Sequence, residues 1–226
     1  MLLIRHRSFM YMGVAASGYS TAFFIPTILN EFGYSPSEAQ LHTIPIYAVC
    51  TVVTLLTAWL SDRVRHRYTF TMIGILVSTA GYIALLCQGP SKGPGAMPVG
   101  VRYFAVFLVT TGTYITQPIV IVWLSNNMAG RYKRSIGSAM QIGIGNVGGI
   151  IGSNIYLQSE APGYHTGYST GLGMMWLCGL MCTLFYVGLM AENRKRDLGE
   201  RDGRLRLPKE VVENLGDDHP DFRFTG

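Results

Sequence analysis

The polar side chains set within the long apolar runs of this chain are neutral hydroxyls and amides. Thr110, Tyr114 and Gln117 stand at i, i+4 and i+7 of the run RYFAVFLVTTGTYITQPIVIVWL (102–124). On a helix that spacing makes one stripe of hydroxyl and amide groups, pointing toward a cavity or a neighbouring helix. Pro118 follows within the run and would leave one backbone carbonyl without its donor. Tyr19 lies mid-run among Gly13, Gly18 and Pro26, which interrupt helix regularity. In GSAMQIGIGNVGGIIGSN (137–154), Asn146 shares a face with Gly149 and Ser153, and Gln141 lies with Gly145, Gly148 and Gly152. An amide surrounded by lipid needs a partner, which is another helix or a ligand. Tyr19, Tyr114, Gln117 and Asn146 are the candidates for lining a cavity or meeting a neighbouring helix.

Charge is concentrated elsewhere. The stretch AWLSDRVRHR (58–67) carries Asp62, Arg63, Arg65 and Arg67 between two long uncharged runs. No apolar run contains Asp, Glu or Lys, and Arg102 sits at the mouth of the fourth, so these residues supply no intramembrane proton relay. His6, His42, His66 and His165 flank loops or basic clusters and read as solvated. Cys50, Cys87, Cys178 and Cys182 lie in or beside apolar runs without metal-binding or disulfide-framework spacing and read as packing residues. No nucleophile–base spacing and no phosphate loop after a strand occurs, so the expectation is a non-enzyme without cofactors.

These groups must be positioned by apolar elements. Six runs are long enough to cross a bilayer as helices, at about 8–29, 43–60, 69–87, 102–124, 136–156 and 167–189. Strands are excluded because open sheet edges would leave backbone groups unpaired in lipid. Residues 1–190 thus form a six-helix bundle, and residues 191–226, with 17 of the 31 charged side chains, form a charged cytoplasmic tail. Of 18 Lys and Arg, 16 fall in alternate connections and both ends, leaving Lys92 and Arg102 on the other side. That asymmetry predicts both termini in the cytoplasm. The basic residues occur in short clusters between spans rather than on one solvated face, which excludes nucleic acid as a partner. Trp59 and Trp123 each end a span and read as headgroup-level anchors. Gly145 and Gly149, like Gly148 and Gly152, are four apart, a spacing that lets helix backbones approach closely.

AWLSDRVRHR resembles the cytoplasmic-loop signature of the major facilitator superfamily, glycine-x-leucine-x-aspartate-arginine-x-glycine-arginine-arginine. Leu60, Asp62, Arg63 and Arg67 match, while Ala58 and Arg65 replace its glycines and His66 a basic position. The wider chain is similar to the fungal allantoate permease-like branch, the anion:cation symporters. That likeness rests on 23–49, 103–130, QIGIGNVGGIIGSNIY (141–156) and LGDDHPDFRF (215–224), in the order of helices seven to twelve. The resemblance implies an all-α membrane protein with six transmembrane helices, the carboxy-terminal half of a twelve-helix fold. It implies proton-coupled transport of a small organic anion, such as allantoate, nicotinate or pantothenate, by alternating access, in the plasma membrane. The same resemblance makes Tyr19, Tyr114, Gln117 and Asn146 the candidate substrate-binding residues. Asp62, Arg63 and Arg67 would form a conformational latch toward the other half, where a carboxylate is attracted to a helix N-terminus. The arginines alone also suffice as topological anchors. The expected partners are the lipid bilayer, the organic anion, and a missing amino-terminal half or a second chain. The alternatives are a transporter-like receptor or sensor and a nonfunctional truncated remnant.

Overall fold

The computed structural model describes residues 2–89, 97–161, 163–209, 212 and 215–226. Among them are seven α-helices and no strand: α1 Leu2–Glu31, α2 Pro36–Val64, α3 Arg67–Leu86, α4 Val99–Asn126, α5 Arg131–Gly145, α6 Val147–Gly152 and α7 His165–Asp197. Five of these (α1 from Phe9, α2, α3, α4 and α7) are each long and apolar enough to cross a bilayer.

The run expected to cross at 136–156 is not one helix. It divides into α5 and α6 at Asn146, whose N–H still donates to the Ile142 carbonyl (2.9 Å). Its own carbonyl accepts from Gly149 three residues on (2.8 Å), a tighter step than the α-helical one. Four glycines between 143 and 149 leave little helix propensity there to resist the change. The helix also ends at Gly152, short of residue 156.

Other boundaries have local causes. α2 starts at Pro36 rather than near 43 because Ser35 and Glu38 form a capping box ahead of the apolar run. The Glu38 N–H donates to Ser35 Oγ (3.4 Å), and the Ser35 N–H donates to Glu38 Oε2 (2.9 Å). α7 runs past residue 190 to Asp197, with Arg194, Lys195 and Arg196 in its last turn opposite the negative helix end.

Inside lipid, helices gain little from excluding water and are held by close packing and interhelical hydrogen bonds. α3 meets α4 through small residues: a Cβ on Gly81 would lie 2.6 Å from the Ala105 carbonyl, and one on Gly112 would lie 2.8 Å from Ser78 Cβ. α6 lies on α1, where a Cβ on Gly148 would overlap the Met12 carbonyl and one on Gly152 the Ala16 carbonyl. Buried hydroxyls join three helices at the centre. Ser17 Oγ bonds Tyr82 OH (2.6 Å) and Thr113 Oγ1 (3.2 Å), and Ser78 Oγ donates to the Val109 carbonyl (3.1 Å). Cys178 and Cys182 are fully buried in α7, with sulfurs 3.9 Å apart.

The two tryptophans expected at headgroup level part company. Trp59 is exposed and carries the Arg63 guanidinium over its ring at 4.8 Å. Trp123 is fully buried, packed edge-on against Phe185, and its indole N–H donates to the Thr225 carbonyl (2.9 Å). A protein acceptor takes the place of the headgroup region.

Connections gather at opposite ends of the bundle. The loop after α2, the start of α5 and residues 215–226 meet at one end, where Lys133 Nζ pairs with Asp217 (2.6 Å). At the other end Tyr103 OH donates to the His42 carbonyl (2.8 Å), Gln88 Nε2 donates to the Gly163 carbonyl (3.1 Å), and buried Arg102 stacks on Phe32 at 4.8 Å.

Candidate functional site

α1 supplies the spine of the candidate constellation. Tyr11 and Gly18 are seven residues apart and so share a face, and both meet Gln117 of α4. Gln117 Nε2 donates to Tyr11 OH (3.4 Å), and a Cβ on Gly18 would lie 3.2 Å from Gln117 Oε1. The amide thus rests against α1 because Gly18 offers no side chain. Next to it, Tyr19 OH donates to Asn146 Oδ1 (3.2 Å), at the break between α5 and α6. The interrupted helix leaves that amide exposed beside a partner helix rather than buried in a seam.

Of the four candidates, Tyr19 and Asn146 are in direct contact, and Gln117 meets α1 at Tyr11 and Gly18, the residue before Tyr19. Tyr114 sits one turn from Gln117 on α4 and packs edge-on against Tyr47 of α2, with ring centres 6.0 Å apart. Tyr19 and Asn146 are exposed, and Tyr114 and Gln117 half-buried, so the group forms an open face of the bundle. Thr110 separates from the stripe: it is buried and donates to the Val106 carbonyl of its own helix (2.8 Å). Tyr11 and Tyr47 join the site without having been singled out in the sequence. Nothing in the spacing marked either, because each is defined by a partner on another helix. The face offers phenol and amide hydrogen bonds and aromatic rings, with no nucleophile or formal charge among these six side chains. No group of three or more His, Cys, Asp or Glu that could hold a metal occurs among the described residues.

The glycine row beside this face has its own geometry. A Cβ on Gly145 would overlap the Tyr11 ring, and one on Gly149 would lie 2.9 Å from the Tyr19 ring. The bare backbone of α5 and α6 is what lets both tyrosine rings approach it this closely.

At the charged end, Arg65 closes α2 in the left-handed region (φ 56°, ψ 25°), and its N–H returns to the Ser61 carbonyl (2.9 Å). A side chain there is strained, which gives the physical reason for a glycine at the corresponding signature position. The turn folds Arg67 back so that its Nη2 pairs with Asp62 Oδ1 at 2.6 Å. With the Asn126 carboxamide oriented oxygen-inward, it also accepts from Arg67 Nη2 (2.9 Å) and Nε (3.2 Å). The Arg67 side chain is only 11% exposed, and Asp62 is 67% exposed. Asp62 thus keeps a free edge outward, whereas Arg67 is committed within the bundle. Arg63 points away, onto Trp59.

The family model of the Major Facilitator Superfamily matches residues 2–153. An uncharacterized transporter of Schizosaccharomyces pombe is 31% identical over 91% of this chain and 39% of its own length. The MFS-type transporter cnsO of Penicillium expansum is 32% identical over 94% of the chain and 41% of its own. The high-affinity nicotinic acid transporter of Saccharomyces cerevisiae is 27% identical over 94% and 38%. The chain therefore spans about two fifths of the length of the curated relatives it matches. No solved structure matches it. With its apolar helices and these relatives, the chain is an integral membrane protein and belongs to the major facilitator superfamily.

Proposed function

We propose that this bundle works as the carboxy-terminal six-helix half of a carrier that moves a small organic anion across the plasma membrane by alternating access. The observation that carries the reading is the pair of contacts Tyr19–Asn146 and Tyr11–Gln117, which tie the α5–α6 break and α4 to neighbouring parts of α1. A face of neutral donors and rings suits the uncharged part of a compact carboxylate such as nicotinate, allantoate or pantothenate. The relative named for nicotinic acid supports that substrate class. A second six-helix half supplies the opposite wall, and proton coupling belongs to the assembled carrier.

In this reading the loop 61–67 faces the cytoplasm along with both termini. The convergence of the basic loops at one end of the bundle supports that orientation. Asp62 presents its free carboxylate edge to a helix N-terminus of the other half, while Arg67 and Asn126 brace it and Arg63 holds the loop at the headgroups. Gly145, Gly148, Gly149 and Gly152 let α5 and α6 lie close to α1 behind the site.

The test is uptake of radiolabelled nicotinate, allantoate and pantothenate in cells lacking their own carriers. The chain is produced alone and together with an amino-terminal half. Uptake of one of them is expected with both halves, and Asn146→Leu is expected to raise KM while surface protein stays constant. Absence of uptake for all three with both halves present overturns the reading.

A further inference from the structure

The run LGDDHPDFRF, with Thr225 and Gly226 behind it, takes no part in the solute face, yet its backbone is held by side chains from two helices. Asn193 of α7 reads both backbone groups of one residue: its Nδ2 donates to the Phe224 carbonyl (2.9 Å) and its Oδ1 accepts from the Phe224 N–H (2.9 Å). Asn127, at the end of α4, does the same to the next residue. Its Nδ2 donates to the Thr225 carbonyl (3.0 Å) and its Oδ1 accepts from the Thr225 N–H (2.9 Å). Trp123 Nε1 gives that carbonyl a second donor at 2.9 Å. Arg196 adds bonds to the Phe222 carbonyl (2.7 Å) and the Asp217 carbonyl (2.9 Å), with its guanidinium 4.4 Å over Phe224. Two carboxamides thus imitate a neighbouring β-strand, satisfying N–H and C=O together.

What this arrangement delivers lies one residue further. The Gly226 carbonyl accepts from the Arg67 N–H at 2.6 Å. Arg67 opens α3, and the preceding residue, His66, makes no side-chain cap bond. The first N–H groups of a helix have no partner within it. Here one of them is filled from the far end of the chain, on the residue whose guanidinium pairs with Asp62.

We propose that residues 217–226 form a positioning clasp for the loop 62–67. Asn193, Asn127 and Trp123 hold the segment by its backbone so that Gly226 caps α3 and turns Arg67 toward Asp62. The inference concerns the loop's geometry and stands apart from the transport reading.

Because the clasp reads backbone, it tolerates a changed side chain at 225 but not a lost N–H. Thr225→Pro removes that donor without touching any helix, and Thr225→Ala keeps it. Two readouts follow on the purified full chain: amide exchange at Arg67, and the mobility of a nitroxide at Arg65→Cys in a Cys87→Ser background. In the parent, the Arg67 amide is expected to exchange at least about tenfold more slowly than the following first-turn amides. Thr225→Pro is expected to abolish that protection and mobilise the label, with exchange elsewhere in α3 unchanged; Thr225→Ala is expected to leave both at parental values. An Arg67 amide without protection in the parent overturns the proposal, and this holds even if the proline variant does not purify. So does parental behaviour of Thr225→Pro, or an equal effect of Thr225→Ala.

Discussion

Gly148 offers the sharpest quantitative test of the packing between α6 and α1. A Cβ at this position would overlap the Met12 carbonyl oxygen and lie 3.0 Å from the Ala16 amide nitrogen. Both are backbone atoms of a helix, so neither yields by changing rotamer; the helices must separate. Overpacking of this kind costs about 1–3 kcal/mol. Alanine also returns helix propensity of about 0.8–1 kcal/mol relative to glycine. Gly148→Ala should therefore be destabilised by up to about 2 kcal/mol, the steric term outweighing propensity. Gly173 in α7 has no atom within 4 Å of an added Cβ, so Gly173→Ala keeps only the propensity gain. The two variants should separate by about 1–3 kcal/mol, or several degrees of melting temperature at about 2–4 °C per kcal/mol. Thermal unfolding in detergent, followed by the loss of the monodisperse peak, measures the separation. Gly148→Leu, with a larger side chain against the same carbonyl, should melt lower still. Equal melting of Gly148→Ala and Gly173→Ala would refute the claim that backbone contact with Met12 and Ala16 sets the helix separation.

Three further outcomes are expected. Arg65→Gly should stabilise the chain by about 1 kcal/mol by relieving left-handed strain, whereas Arg65→Gln should not; denaturant titration decides, and equal stabilities refute the strain argument. Glu160 accepts from the Thr166 hydroxyl and from its N–H (2.8 Å) at the start of α7, and these bonds hold its carboxyl below the ordinary 4.5. A lowered folded-state pKa contributes stability above the unfolded value that is lost as pH falls through the folded one. The melting gap between the parent and Glu160→Gln should therefore be wide near about pH 7 and close toward about pH 3, and a gap independent of pH refutes the assignment. Asp62→Asn, in the assembled carrier, should lower initial uptake per surface protein far more than Arg65→Gln; parental uptake by Asp62→Asn leaves the loop with only a topological role.

Much of the architecture is written in one dimension. A run of about 20 uncharged residues has few options in lipid besides a helix, because each backbone group must be satisfied within its own segment. The capping box at Ser35 and Glu38 is a local signal of the same kind, since both partners lie within three residues. Glycines four apart in 145–152 likewise mark a bare helix face without naming what lies against it. Inside and outside are another matter. Lipid-facing and core-facing positions are both apolar, so hydropathy cannot separate exposed Trp59 from buried Trp123, although the two stand in the same sequence context. The same blindness hid Tyr11, whose role depends on Gln117 of a helix more than a hundred residues away. The glycines around Asn146 mark weak helix propensity in the sequence, but the Tyr19 hydroxyl that the Asn146 amide meets is supplied only by the fold. The charged segment at 191–226 reads by composition as a solvated tail. Its docking against Asn127, Asn193 and Arg67 is carried by backbone hydrogen bonds, which every residue type can make and which composition therefore cannot encode.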